Sequence, residues 1–226
     1  MSVSAELKLQ RKWVLGSALT ILAGISLLAF FLLRSTAAPP PAVQGSLLLE
    51  PRPLPDFNLV THHQEALTRK DLQGRWHLLT YGFTHCPDIC PTTMMELAAF
   101  QRALEGQTEY RDLDVWFYSI DPGRDTLAHL ADYVPWFHPE FRGLLAVDEA
   151  EARRFEQGLG IVAFVEPSQD PSQYQVAHGL QIYLMNDQGQ LEAALHPTRE
   201  RNGLQHYEVD RLLQDYLAIR HWRDQT

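Results

Sequence analysis

Tyr81-Gly82-Phe83-Thr84-His85-Cys86-Pro87-Asp88-Ile89-Cys90-Pro91 holds both cysteines of the 226-residue chain. An apolar, strand-like run, His77–Phe83, leads into it, and a helix-like run, Thr92–Leu104, leaves it. Pro91 suits the first helical position, where a missing N–H costs nothing. The cysteines therefore lie on a strand-to-helix turn, where helix N-terminal amides favour negative charge and lower a thiol pKa. Spacing i, i+4 puts both side chains on one face once the segment turns helical. Two converging thiolates either close a disulfide or grip a soft metal ion. The loop between them is too short for a disulfide to add much stability. A structural zinc site needs four ligands, and there is no second cysteine pair. The C-x-x-x-C spacing also differs from the C-x-x-C redox and C-x-x-C-H haem signatures.

Around this turn two hydrophobic periods alternate. Strand-like runs are His77–Phe83, Val115–Ile120, Gly143–Val147, Leu180–Asn186 and Leu191–Leu195; helix-like runs are Thr92–Leu104, Leu127–Phe137, Glu149–Leu159 and Tyr207–His221. Asn186-Asp187-Gln188-Gly189 is a turn signal, so the last two strands read as a hairpin. The order predicts an α/β fold, a central mixed sheet flanked by helices. In such sheets, sites gather beyond the carboxyl ends of the parallel strands. Cys86 and Cys90 follow one strand, and Asp121, Arg124 and Asp125 follow the next. Asp121-Pro122 is also an ordinary turn and Asp125 or Thr126 an ordinary N-cap, so these three read as structural ahead of direct metal ligation, with a supporting or partner-docking role open to them.

Three blocks carry a resemblance to a known family. Tyr81–Pro91 resembles the metal-binding motif of the Sco/SenC family. Ser119-Ile120-Asp121-Pro122-Gly123-Arg124-Asp125-Thr126 is similar to its S-[IV]-D-P-x-R-D-T block. His178, within Tyr174-Gln175-Val176-Ala177-His178-Gly179-Leu180, stands where the family carries a histidine ahead of a strand, although Ala177 and Gly179 replace the family's Asp and small polar residue. The resemblance runs from about Leu54 to Leu217. It implies a thioredoxin-like fold and a copper site of Cys86, Cys90 and His178. It also implies a role in assembling the dinuclear copper centre of cytochrome c oxidase, with that enzyme's copper-bearing subunit and other periplasmic copper chaperones or thiol reductants as partners. Two thiolates suit Cu(I), and an added imidazole lets the set hold Cu(II). Oxidation to a disulfide would eject the metal, coupling copper binding to redox state. His85, beside Cys86, is directed away from it by backbone alternation.

Two other function classes share such a turn. A dedicated thiol–disulfide oxidoreductase would use Cys86 and Cys90 as catalytic residues. A peroxiredoxin-like peroxidase needs P-x-x-x-[TS]-x-x-C, and Leu79 and Phe83 occupy those places here.

Trp13–Leu33 is an uncharged run of the length that crosses a bilayer as a helix. It exceeds the ~7–15 residue core of a signal peptide, so it reads as an uncleaved anchor. Lys8, Arg11 and Lys12 precede it and only Arg34 follows closely, which sets the N-terminus in the cytoplasm. The expected organisation is residues 1–34 as cytoplasmic N-terminus and transmembrane anchor, 35–55 as a Pro/Ala-rich linker, and 56–226 as a periplasmic copper-binding domain on a bacterial inner membrane. Residues 1–40 carry a net charge of +3, which leaves −12 on the rest of a chain whose net charge is −9. So acidic a domain is a poor nucleic-acid binder.

Overall fold

The computed structural model describes residues 3–34, 38–166, 168 and 174–226. The chain divides into two compact units, residues 1–40 with 221–226, and residues 41–220.

The first unit contains helix α1 (Val3–Arg34), 32 residues long and hence about 48 Å from end to end. Leu19, Ile21, Leu22, Ile25, Leu27, Leu28 and Phe30 are all exposed on it. The Thr20 hydroxyl donates to the Ser17 carbonyl at 2.9 Å, so this polar group is satisfied by the helix itself. Among the described residues no helix is long and apolar enough to cross a membrane. The expected Trp13–Leu33 span lies partly outside the residues whose side chains are described, which on this helix are Trp13 and 16–30.

The second unit is built on an eight-stranded sheet. Its elements are β1 (Gly45–Pro53), β2 (Asn58–Thr61), β3 (Ala66–Thr68), β4 (Trp76–Gly82), α2 (Ile89–Glu105), β5 (Leu113–Ser119), α3 (Leu127–Phe137), β6 (Arg142–Ala146), α4 (Glu149–Leu159), β7 (Ala163–Val165), β8 (Val176–His178), β9 (Ile182–Met185), β10 (Gln190–Leu195), β11 (Thr198–Arg199), β12 (Gln205–His206) and α5 (Val209–Arg223). The sheet order is β1-β10-β9-β4-β5-β6-β2-β3. β4, β5 and β6 run parallel, and the other pairs are antiparallel. The sheet is thus mixed, in the thioredoxin-like layout.

β4 lies mid-sheet with all seven residues buried, because helices cover both faces. Alternation sends Leu78 to one face, with Val115, Phe117, Met94, Phe100 and Tyr216. Leu79 and Tyr81 go to the other, with Trp116, Tyr118, Phe155 and Leu159. α2, α3 and α5 therefore cover one face and α4 the other.

Four expectations change. Residues 45–53, read as the second half of a linker, form β1, which pairs with β10 across a bulge between Leu47 and Arg52. α2 begins at Ile89 rather than Thr92, so Pro91 is its third residue. A proline is tolerated there because first-turn N–H groups have no partner within the helix. β9 starts at Ile182, since the Leu180 carbonyl accepts from the Tyr207 hydroxyl at 2.7 Å. Tyr207 thus stands outside α5, which begins at Val209.

His77 of β4 is 1% exposed, and its ring lies 4.2 Å from that of Trp116, centroid to centroid. Neither ring nitrogen has a hydrogen-bond partner among the described residues. Burial, reinforced by Arg75 and Arg142, pushes its pKa down to about 3. An unfolded histidine takes up a proton near 6.5, so the unfolded chain binds more protons than the folded one between those values. Stability therefore falls as the pH drops through this window. At pH 4.5 His77 is expected to cost the fold about 2–3 kcal/mol relative to pH 7.5. Urea unfolding checks this: His77→Leu should narrow the difference between the two pH values by that amount, and an unchanged difference would refute it.

Candidate metal centre

The cysteine turn is held between β4 and α2. The Ile120 N–H donates to the Gly82 carbonyl at 2.9 Å, extending the β4–β5 ladder to the last residue of β4. The chain then turns, with the Cys86 N–H donating to the Phe83 carbonyl at 3.1 Å. Cys90 is the second residue of α2 and only 5% exposed. Its Sγ packs on the backbone of Gly82, where an added Cβ would stand 2.5 Å from the sulfur. A side chain at position 82 would drive Cys90 out of its place, so the glycine is a packing requirement.

The two thiols are unlike. The Cys90 N–H donates to Cys86 Sγ at 3.4 Å. Cys86 is lowered to about 5, first by the hydrogen bond from the Cys90 thiol, then by the backbone N–H groups of Cys90 and Asp88 and by nearby His178, against the opposing effect of burial. Cys90 is pushed up, first by donating that same bond to Cys86 and then by burial. At neutral pH the pair holds one negative charge on Cys86 and one proton on Cys90. The helix N-terminus contributes, as the sequence implies, but the neighbouring thiol contributes more.

His178 ends β8, whose partner β7 sets Ala163 opposite it. Its Nδ1 faces the Gly179 carbonyl, an oxygen that only accepts. Nδ1 therefore carries the proton, leaving the Nε2 lone pair directed at Cys90 Sγ, 4.0 Å away. Sulfur and nitrogen ligands of one ion, at ~2.3 and ~2.0 Å from it, stand about 3.5–4 Å apart. The ring packs between Tyr81 and Phe83, with centroids 5.4 and 6.1 Å away. Gly179, one of the departures from the family pattern, has a local reason. A Cβ there would collide with Gln181 Oε1 and come within 2.6 Å of the Tyr81 hydroxyl, which donates to Gln181 at 2.8 Å.

Among the described residues no three His, Cys, Asp or Glu side chains form a ready-made cage for an ion. The structure joins Cys86 to Cys90 and Cys90 to His178 as pairs. Such an incomplete set suits a transient ligand, with soft sulfur donors and one imidazole favouring copper over oxygen-seeking cations.

The Asp121–Asp125 block braces the turn, as its sequence implies. Buried Asp125 accepts from the Thr84 N–H at 3.0 Å, the Thr84 hydroxyl at 2.6 Å and the Ser119 hydroxyl at 2.6 Å. Asp121 accepts from Arg124 Nε and the Tyr174 hydroxyl, each at 2.6 Å. The Arg124 guanidinium lies 3.6 Å from the centre of the Tyr174 ring and 5.4 Å from that of Phe83. Tyr174 thereby ties the strand carrying His178 to the cysteine turn. No spacing rule singles it out; only its place four residues before His178 offers a hint.

Residues 49–212 of the chain match the profile of the SCO1/SenC family. The chain belongs to that family. A relative from Stutzerimonas stutzeri, described as "Putative copper-binding protein", is 33% identical over 164 residues, covering 72% of this chain and 79% of its own. The mitochondrial SCO2 homolog of Bos taurus is 36% identical over 134 residues, 59% of this chain and 50% of its own. The chain spans about half the length of the mitochondrial SCO2 relatives that it matches. Among solved SCO1/SenC structures, copper-bound ScoI of Arabidopsis thaliana is 30% identical with a TM-score of 0.63, covering 74% of this chain and 98% of that one. Copper-bound ScoI of Bradyrhizobium japonicum is 28% identical with a TM-score of 0.60, covering 77% and 99%.

Proposed function

We propose that this SCO1/SenC protein carries copper on Cys86, Cys90 and His178 and delivers it to, or prepares, the dinuclear copper site of cytochrome c oxidase. The observation that carries the reading is the thiolate–thiol pair with a histidine lone pair 4.0 Å from the buried sulfur. Copper is the cargo, and with only three protein ligands it can leave by stepwise ligand exchange. X-ray absorption on the reduced, copper-loaded chain should report two sulfurs and one nitrogen. His178→Ala should remove the nitrogen and weaken binding by at least ~10-fold; an unchanged spectrum would remove His178 from the site.

We also infer an anchored topology, with α1 in the bacterial inner membrane and the copper domain in the periplasm. Support comes from the uncharged 13–33 stretch, the basic residues before it and the length of α1. Tethering at the surface where a membrane oxidase displays its copper subunit would raise the effective concentration of the pair. The full chain should stay with membranes after a carbonate wash, and a strain lacking it should lose oxidase activity at low copper, with partial rescue by added copper. Release by the wash or full activity at low copper would each overturn its part of this reading.

The unlike thiols favour a second reading, a dedicated thiol–disulfide reductase for the cysteines of that subunit. An accessible thiolate attacks, and a neighbouring protonated thiol resolves the mixed disulfide. A mixed disulfide between Cys86 and the oxidised subunit, trapped in Cys90→Ala, would select it.

A further inference from the structure

The geometry points to a second, exchangeable metal site, formed by the imidazoles of His85 and His129 and suited to Cu(II). His85 lies on the cysteine turn and His129 in the first turn of α3; both are exposed, and their rings face one groove together with Asp132 and Trp136. Each ring has its proton placed by the protein. His129 Nδ1 stands 2.9 Å from the Arg124 carbonyl, which can only accept. His85 Nδ1 stands 3.2 Å from the Thr84 hydroxyl oxygen, whose own proton is donated to Asp125. That leaves the Thr84 oxygen to accept from His85. Both Nε2 lone pairs are then free to bind a metal, each backed by the kind of Nδ1 hydrogen bond that orients metal-bound histidines.

The separation fits one shared ion. Imidazoles bound at ~2.0 Å to a common metal have ring centroids about 4.5–6.5 Å apart, depending on the angle at the ion. Here the centroids are 6.2 Å apart, with the planes at 75°, near the upper end of that range and so matched to two imidazoles on opposite sides of a tetragonal Cu(II) rather than to a tetrahedral Zn(II). Asp132, one helical turn beyond His129, lines the same groove but does not stand with the two rings as a third ligand. Among the described residues no third His, Cys, Asp or Glu completes a cage, so water or an incoming ligand would fill the remaining positions. Nitrogen and oxygen donors prefer Cu(II) and Zn(II), whereas the sulfur pair prefers Cu(I). The two sites are therefore chemically distinct. His178 approaches Cys90, while His85 contacts Thr84 and Asp125.

The test uses the full chain with Cys86→Ala and Cys90→Ala, which separates this proposal from the copper-carrier reading. Cu(II) is titrated by calorimetry and by electron paramagnetic resonance. One equivalent should bind with hyperfine structure from two imidazole nitrogens. His129→Gln and His85→Gln should each weaken binding at least tenfold, and the double variant should be little worse than either, since losing one ring already breaks the chelate. His178→Ala should leave it unchanged. Binding unaffected by His85→Gln and His129→Gln, or abolished by His178→Ala, would overturn the site. A measurement on the wild-type chain, oxidised to remove the thiolates, guards against misfolding of the variants. Substoichiometric Cu(II) should broaden the ring resonances of His85 and His129 before those of the other histidines; first broadening elsewhere would overturn the proposal as well.

Discussion

Removing either sulfur is expected to abolish tight Cu(I) capture, lowering affinity by more than ~100-fold, beyond what loss of an outer-shell partner costs a metal site. The two losses act differently. Without Cys90, the Cys86 thiolate loses the hydrogen bond that contributes most to its low pKa. Without Cys86, Cys90 is a lone buried thiol, its pKa still held up by burial. The pair also sets the pH dependence. Cys86 has already lost its proton above about 5, whereas Cys90 still holds one at neutral pH. Copper uptake between pH 6 and 8 should therefore release one proton, Cys90's, and affinity should rise about tenfold per pH unit. Anaerobic competition against a Cu(I) chelator measures both quantities. A single-cysteine variant within tenfold of wild type would show that the thiolates are not the principal ligands, and a hundredfold rise per pH unit would show that both thiols start protonated.

The second large effect falls on the fold. Asp125→Ala is expected to destabilise the domain by about 3–5 kcal/mol, because it strips the shared acceptor from three donors at a buried position. The carboxylate receives the Thr84 N–H, the Thr84 hydroxyl and the Ser119 hydroxyl, and is 1% exposed. Asp125→Asn, which keeps one carbonyl oxygen as an acceptor, should lose roughly half as much. Urea denaturation of both variants is the measurement. A loss under about 1 kcal/mol for Asp125→Ala, the value of a single ordinary hydrogen bond, would mean that the turn is held by its own backbone.

The parts legible in sequence are those where local pattern and tertiary packing agree. α3 and α4 run Leu127–Phe137 and Glu149–Leu159, matching the apolar period. Their starts are marked by Thr126 and Asp148, whose side chains accept from His129 and Glu151 backbone N–H groups. The cysteine turn reads correctly because a buried strand and an amphipathic helix flank it. β1 is hidden because Leu47-Leu48-Leu49 sits among prolines, and its strand character depends on pairing with distant β10. The two-stranded β7–β8 pair is too short for any period to register, yet it positions His178. The contacts of His178 with Cys90 and of Tyr174 with Asp121 join residues 88 and 53 positions apart. Sequence spacing carries no record of such distances; only a family resemblance points to the histidine, and only nearness to that histidine in the chain hints at the tyrosine.

β1 has a consequence for how the protein behaves in a crowded compartment. It is the outermost strand, and an open sheet edge invites another chain to zip onto it. Pro51 and Pro53 lie within it and offer no N–H, and the break in register between Leu47 and Arg52 twists the strand out of the flat form that such zipping requires. The proline-rich composition that disguises β1 as a linker is thus also a guard against self-association. It blunts this edge against strand-to-strand pairing while β1 still pairs with β10.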